Sequence, residues 1–256
     1  MTKVSKQQAK QLLRRFVGEV YVGKRIKQRW LEHRLPPMTA TRILDFGAED
    51  AAFTYWLADW FPNAQVTAID LDTDAMAACR AALPAAYRRR VSFESADLRD
   101  VEEGTFDLAL AFDVLEHIVD DEAALRAIGE RLRPNGKVLI HVPDRIYVDV
   151  RGRPNTVPDE DAWQVNAGHV RTGYTTDQIA DLCLRAGLDI VTIERWNRCW
   201  SAWAFRFYDM VEHPRPLRLL SIPFTEICAV LDRRRPTTEG NTVFAIAARP
   251  EVIASS

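Results

Sequence analysis

Asp45 lies in one short apolar run, Arg42 to Phe46 (RILDF), and Asp70 ends another, Gln65 to Asp70 (QVTAID). Gly47 follows the first run, so strand, glycine turn and helix start succeed one another. That junction is where doubly wound sheets bind nucleotides, at the C-terminal ends of their strands. Asp70 stands about 23 residues beyond Gly47, where a carboxylate can accept hydrogen bonds from both ribose hydroxyls. Gly47 alone carries little weight, because any strand-to-helix unit needs such a turn.

Two adenosine-bearing ligands fit this spacing, a nicotinamide dinucleotide and S-adenosylmethionine. A diphosphate rests on the first turn of the helix, where this chain has Glu49 and Asp50. A carboxylate about 4 Å from a phosphate costs on the order of 4 kcal/mol at an effective dielectric of about 20. S-adenosylmethionine has a sulfonium, an ammonium and one carboxylate, and no phosphate. A pocket edged by Asp45, Glu49, Asp70 and Asp97 complements its positive charge.

The framework around these residues is an alternation of strands and helices beginning after Pro36-Pro37. The pattern predicts a helix near Asp50 to Phe61, an Ala-rich helix Thr73 to Leu83, and strands Val91 to Ser95 and Phe106 to Phe112. A helix Asp121 to Arg133 and a strand Lys137 to Val142, announced by the turn Pro134-Asn135-Gly136, come next. Nearly all-apolar strands separated by helices imply a parallel sheet buried on both faces. An irregular Pro- and Asp-rich stretch, Asp144 to Thr175, precedes a helix Thr176 to Ala186 ended by Gly187 and a strand Asp189 to Trp196. The last strand is Asn241 to Ala248, about 44 residues further on, so 197–240 reads as an insertion.

Six segments in this order resemble the class I S-adenosylmethionine-dependent methyltransferases, in the broad group with a Leu-Glu-His signature after the fourth strand (methyltransferase type 11/12-like). They are ILDFGAEDAAF (Ile43 to Phe53), VTAIDLD (Val66 to Asp72), SADLRD (Ser95 to Asp100), FDLALAFDVLEHI (Phe106 to Ile118), RLRPNGKVLIHVPD (Arg131 to Asp144) and GHVRTGYTTDQIADLCLRAGLDIV (Gly168 to Val191). The resemblance implies an α/β, doubly wound Rossmann-like sheet of seven strands, mostly parallel with an antiparallel last strand, and helices on both faces. It implies that Asp45 and Gly47 face the methionine end of the cofactor, and that Asp70, with Leu71 beside it, takes the ribose. Asp97 and the backbone of Leu98 meet the adenine, and Asp113 lies along the cofactor near the transferring methyl. Glu49 and Ala51 depart from the pattern, which usually has further glycines in the first turn. A catalytically degenerate binding or scaffold protein is the competing expectation.

Methyl transfer from a sulfonium is an in-line displacement that needs alignment, and a base where the acceptor loses a proton. His117, in the Leu-Glu-His segment, and His169, in the loop expected to close over the acceptor, are the candidates. Each also reads as a histidine that bonds loop backbone. Tyr174 and Arg171 either line the acceptor pocket or belong to an ordinary loop-to-helix junction capped by Thr175 or Thr176. His141 reads as a core histidine.

Composition sets the outer limits. With 34 Lys and Arg against 36 Asp and Glu, the net charge of −2 excludes a globally basic nucleic-acid binder. Four scattered cysteines make neither a disulfide framework nor a CxxC zinc site, so no metal is expected and a cytoplasmic home is. The charge is uneven: residues 3–35 hold ten basic residues against Glu19 and Glu32, giving an arm of +8 and a body of −10. The chain therefore divides into a basic helical arm, 1–37, and a catalytic domain, 38–256. The arm reads as a lid over the cofactor or an anchor on an anionic surface. The Trp-rich, Arg-bordered insertion packs on the sheet or a second subunit, or else takes an interfacial position at a membrane or covers a greasy acceptor. Expected partners are a small-molecule or lipid-linked acceptor, with peripheral membrane contact through 1–35 and 197–235.

Overall fold

The computed structural model describes residues 2–149, 151, 153–156, 168–211, 213, 215–233 and 240–251. The arm is two helices, α1 (Lys3–Val17) and α2 (Val22–Arg34). There follow β1 (Arg42–Phe46), α3 (Ala52–Trp60), β2 (Gln65–Ile69), α4 (Thr73–Ala81), β3 (Val91–Glu94), β4 (Phe106–Phe112), α5 (Asp121–Arg131) and β5 (Leu132–Pro143). A small hairpin, β6 (Ile146–Val148) and β7 (Pro154–Thr156), leads to α6 (Thr176–Arg185), β8 (Asp189–Trp196), α7 (Cys199–Met210), α8 (Ser221–Arg233) and β9 (Thr242–Ala248).

Seven strands make one sheet in the order β3-β2-β1-β4-β5-β9-β8, with β9 antiparallel to both neighbours and the other pairs parallel. The period-2 alternation of strand side chains divides the core. Ile43, Leu108, Leu110 and Leu139 face a layer containing Trp30, Leu57, Met76, Trp196 and Phe244. Leu44, Ala109, Ala111 and Ile140 face Leu125, Ile128, Ile179 and Leu182 on the other side. Burial on both faces is why the strands read as continuous apolar runs. Local chemistry sets the helix ends: Asp72 caps α4, Asp120 caps α5, and Thr175 with Gln178 forms a capping box at α6.

Two local expectations are revised. Pro134-Asn135-Gly136 lies inside β5, which starts at Leu132, because Asn135 adopts φ +64 as an irregularity in the pairing with β4 rather than a separate turn. Asp144 to Thr175 is not wholly irregular, since it contains the β6–β7 hairpin; residues 157–167 of it, like Arg234 and Arg235 of the insertion, lie outside the described residues.

Arm and insertion form one helical layer against the sheet. Trp30 of α2 stacks on Trp196 with ring centroids 5.3 Å apart, and Glu226 of α8 receives Arg25 at 2.5 Å and Arg29 at 2.7 Å. Asp232 of α8 accepts the backbone N–H groups of Arg198 (2.9 Å) and Ser201 (2.8 Å), closing the start of α7. No helix among the described residues is long and apolar enough to cross a membrane.

Candidate active site

The turn after β1 is built on left-handed backbone. Gly47 has φ +75, and a Cβ there would lie 2.7 Å from the Val114 side chain. The Gly47 and Ala48 N–H groups both donate to Ile69 O, at 2.9 and 3.1 Å. Glu49 (φ +47) and Ala51 (φ +63) also take the left-handed conformation, at a cost of roughly 1–2 kcal/mol each for residues with a Cβ. The turn thus keeps the geometry that glycines usually supply while lacking two of them. Compensating contacts surround it: the Ala51 methyl is fully buried, and Glu49 N–H donates to Asp70 Oδ2 at 2.9 Å.

Three of the arm's basic residues, Lys10, Arg14 and Lys24, pair with this turn. Lys24 Nζ lies 2.7 Å from Glu49 Oε2 and 2.8 Å from Asp50 Oδ1, while Lys10 and Arg14 each reach Asp50 Oδ2 at 2.9 Å. Burial alone would raise the Asp50 carboxyl, but Arg14, Lys24 and Lys10 hold it well below the usual carboxylate range. The Glu49 carboxylate turns outward and is 73% exposed, so it edges the arm and not the crevice. With both acids paired, their repulsion of a diphosphate is largely cancelled. What separates this fold from a dinucleotide domain is its topology, a reversed strand inserted between β5 and β8 where the dinucleotide fold stays parallel.

Asp45 and Asp70 keep their charges out of the arm's network, and neither forms an ion pair among the described residues. Asp70 Oδ2 accepts from Glu49 N and Oδ1 from Asp72 N, both at 2.9 Å, which aims the carboxylate at the crevice edge. Leu71 beside it is 76% exposed, an apolar platform at the strand end. Asp45 is buried and accepts from Thr54 Oγ1–H at 2.5 Å; burial raises its carboxyl to about 6, against the opposing effect of that hydrogen bond. Asp97 accepts from Arg99 at three atoms, backbone N (2.9 Å), Nε (2.9 Å) and Nη2 (2.7 Å), so its carboxylate is held within its own turn, and the Leu98 side chain after it is buried.

Past β4, Asp113 adopts φ +52 and joins three segments. Its Oδ2 accepts from Lys27 Nζ of the arm and its Oδ1 faces His141 Nδ1 of β5 at 2.8 Å. Burial opposes ionisation here, but Lys27 and His141 outweigh it and keep the Asp113 carboxyl well below the usual range. Burial, with Lys27 adding to it, lowers the His141 imidazole, so Nδ1–H donates to the carboxylate from a neutral ring. Lys27 and His141 were not among the sequence candidates. Nothing in the spacing of Lys27 distinguishes it from the other bases of the arm, and His141 reads as core, which it also is.

The mouth of the sheet gathers the remaining candidates. The His117 and His169 rings meet edge to face at 4.7 Å, and His117 Nδ1 lies 3.1 Å from Gly168 O. Glu116, which sequence reasoning passed over as part of the signature, is only 1% exposed; burial and then the nearby Asp113 push its carboxyl up to about 8. Arg171 and Tyr174 point inward. Tyr174 is buried, its O–H is shared between Asp121 Oδ2 (2.8 Å) and Leu115 O (3.1 Å), and Arg171 donates to Asp121, Leu115 O and Val119 O. This pair fastens the 168–174 segment to the turn after β4. The two residues also border a cavity of about 460 Å³ between that segment and α6, with Arg145, Asp181 and Arg185 among its walls.

Sheet order, reversed seventh strand and acid-edged crevice together define a class I S-adenosylmethionine-dependent methyltransferase architecture. Residues 9–193 match the family model described as a methyltransferase domain, and the chain belongs to that family. Over 122 residues it is 30% identical to a ubiquinone biosynthesis O-methyltransferase of Xanthomonas axonopodis pv. citri, which covers 47% of this chain and 50% of that one. Over 113 residues it is 30% identical to a trans-aconitate 2-methyltransferase of Deinococcus radiodurans, covering 44% and 42%. Among solved structures, an S-adenosylmethionine-dependent methyltransferase from Mesorhizobium loti shares the fold with a TM-score of 0.60 at 21% identity, covering 90% of this chain and 100% of that one. The chain spans between 33% and 50% of the length of the curated relatives it matches.

Proposed function

We propose that the chain transfers a methyl group from S-adenosylmethionine to an oxygen of a small-molecule acceptor. The observation that carries the reading is the pair Asp45 and Asp70, two carboxylates at adjacent strand ends that form no ion pair among the described residues, flanking Gly47, whose left-handed backbone packs so closely on Val114 that a Cβ would collide with it. When bound, S-adenosylmethionine supplies an electrophilic methyl on a sulfonium, which an acceptor lone pair displaces in line to leave S-adenosylhomocysteine. Asp70 accepts from the ribose hydroxyls, Leu71 supports the adenine, and Asp97 with the Leu98 backbone borders it. Asp45, Gly47 and the Glu49 N–H frame the methionine end, with Asp113 alongside. His117 and His169 handle the acceptor's hydroxyl. Arg171 and Tyr174 shape the pocket from behind by fixing the segment that carries His169. Two relatives from this chemistry, one named as an O-methyltransferase, support oxygen as the acceptor atom.

Asp70→Ala is expected to weaken S-adenosylhomocysteine binding by about 1–3 kcal/mol, or roughly 10- to 100-fold, through lost ribose bonds. Calorimetric titration of the variant, with circular dichroism to confirm folding, measures it. An unchanged dissociation constant would place the cofactor elsewhere, and a wild-type chain that binds no cofactor would be a scaffold.

We assign the outward face of α1 to an anionic membrane surface that presents a lipid-linked acceptor. Phe16 is 75% and Leu12 61% exposed, with Leu13 on the same face and Lys6 and Arg15 exposed beside them. The wild-type chain is expected to float with anionic liposomes at low salt and Phe16→Glu to stay in the soluble fraction. Failure of the wild type to float at either low or high salt removes the assignment.

A further inference from the structure

We infer that Glu116, His117 and His169 form a binding site for one divalent transition-metal cation at the acceptor end of the crevice. No CxxC or short His spacing announces it, because His169 lies 52 residues after His117 in the sequence. The fold brings one ligand atom from each of the three residues to within 4.8 Å of the others. Two imidazoles and one carboxylate are a donor set that suits zinc, cobalt or manganese, and three protein ligands leave a position open for water or a substrate oxygen.

Independent features point to a cation. Among the described residues, buried Glu116 Oε2 has no hydrogen-bond partner, a carboxyl oxygen left unsatisfied. His117 Nδ1 faces Gly168 O, and a carbonyl can only accept, so Nδ1 holds the proton and Nε2 keeps a free lone pair. Orientation of a ring by a backbone carbonyl on its second nitrogen is characteristic of metal-ligating histidines. The two segments are also fixed before any ion arrives. Val170 N–H donates to Glu116 O at 2.9 Å, and Tyr174 and Arg171 hold Leu115 O.

A cation there would bind the acceptor hydroxyl and lower its pKa, so that the oxygen attacks as an alkoxide or phenoxide and the proton passes to solvent. That role rests on the methyl-transfer reading; the site itself does not.

The test uses the full chain without a histidine tag, stripped with chelator, titrated with Co²⁺ and followed by visible absorption and by metal analysis after gel filtration. The wild type is expected to retain about one equivalent with a coordination band in the visible. Glu116→Gln and His169→Ala are each expected to lose the band and the retained metal, while His33→Ala, at an exposed histidine elsewhere, keeps both. Retention that is absent in the wild type, or unchanged in both site variants, overturns the inference. Calorimetry with S-adenosylhomocysteine on the same samples separates the two claims: cofactor binding without metal retention sinks only the metal site, and metal retention without cofactor binding sinks only the methyl-transfer reading.

Discussion

Asp45→Asn is expected to make the ligand-free chain more stable at pH 7.5 while weakening its hold on the cofactor. Asp45 is buried with only the Thr54 hydroxyl as a hydrogen-bond partner among the described residues, and burial raises its carboxyl from 3.8 to about 6. The folded state therefore binds the proton more tightly than the unfolded state. The sign follows: ionising Asp45 costs nothing below the unfolded value, the cost grows as pH rises between about 4 and 6, and it is complete above that. A shift of about two units corresponds to at most about 3 kcal/mol. Asparagine can accept the same Thr54 hydrogen bond without the charge. Urea denaturation of both proteins should show the variant more stable by about 1–3 kcal/mol at pH 7.5, with the gap closing near pH 4. Cofactor affinity should fall at least about tenfold at pH 7.5, because the methionine end loses a counter-charge. Equal stability at both pH values would show that the buried carboxylate is not the burden described.

The second large effect is at Asp113. Asparagine is at home in the left-handed backbone and can still accept from His141, so Asp113→Asn isolates the charge. It leaves the buried Lys27 ammonium without a counter-ion, and breaking a buried pair from one side is costlier than removing both partners. The expected loss is about 3 kcal/mol, at the low end for buried pairs because the Asp113 side chain is partly solvent-exposed. The double variant Lys27→Met/Asp113→Asn is expected to recover most of it. Since this pair ties α2 to the end of β4, the single variant should also loosen the arm, read as faster proteolysis before residue 38. A single variant as stable as the wild type would mean that the arm does not depend on this contact.

The framework was legible because its signals are local. Apolar runs such as FDLALAF fix a strand buried on both sides, and the placing of Asp45, Gly47 and Asp70 follows from strand ends alone. What stayed hidden depends on pairing across the chain. Sequence charge shows an arm of +8 beside a body of −10, but not that Lys24 neutralises the very acids that were to repel a diphosphate. Glu49 and Ala51 show no sign of their left-handed backbone, because neither residue type favours it. Glu116 reads as one letter of a signature until the fold carries His169 to it. The insertion's aromatic residues likewise acquire meaning only when Tyr208 is seen edge to face with Tyr21 of the arm.

The most direct test of the account is equilibrium titration of the wild-type chain with S-adenosylhomocysteine and, separately, with NADH. The account predicts saturable binding of S-adenosylhomocysteine at one site per chain and no response to NADH. Saturable NADH binding, or no heat with S-adenosylhomocysteine, would contradict it.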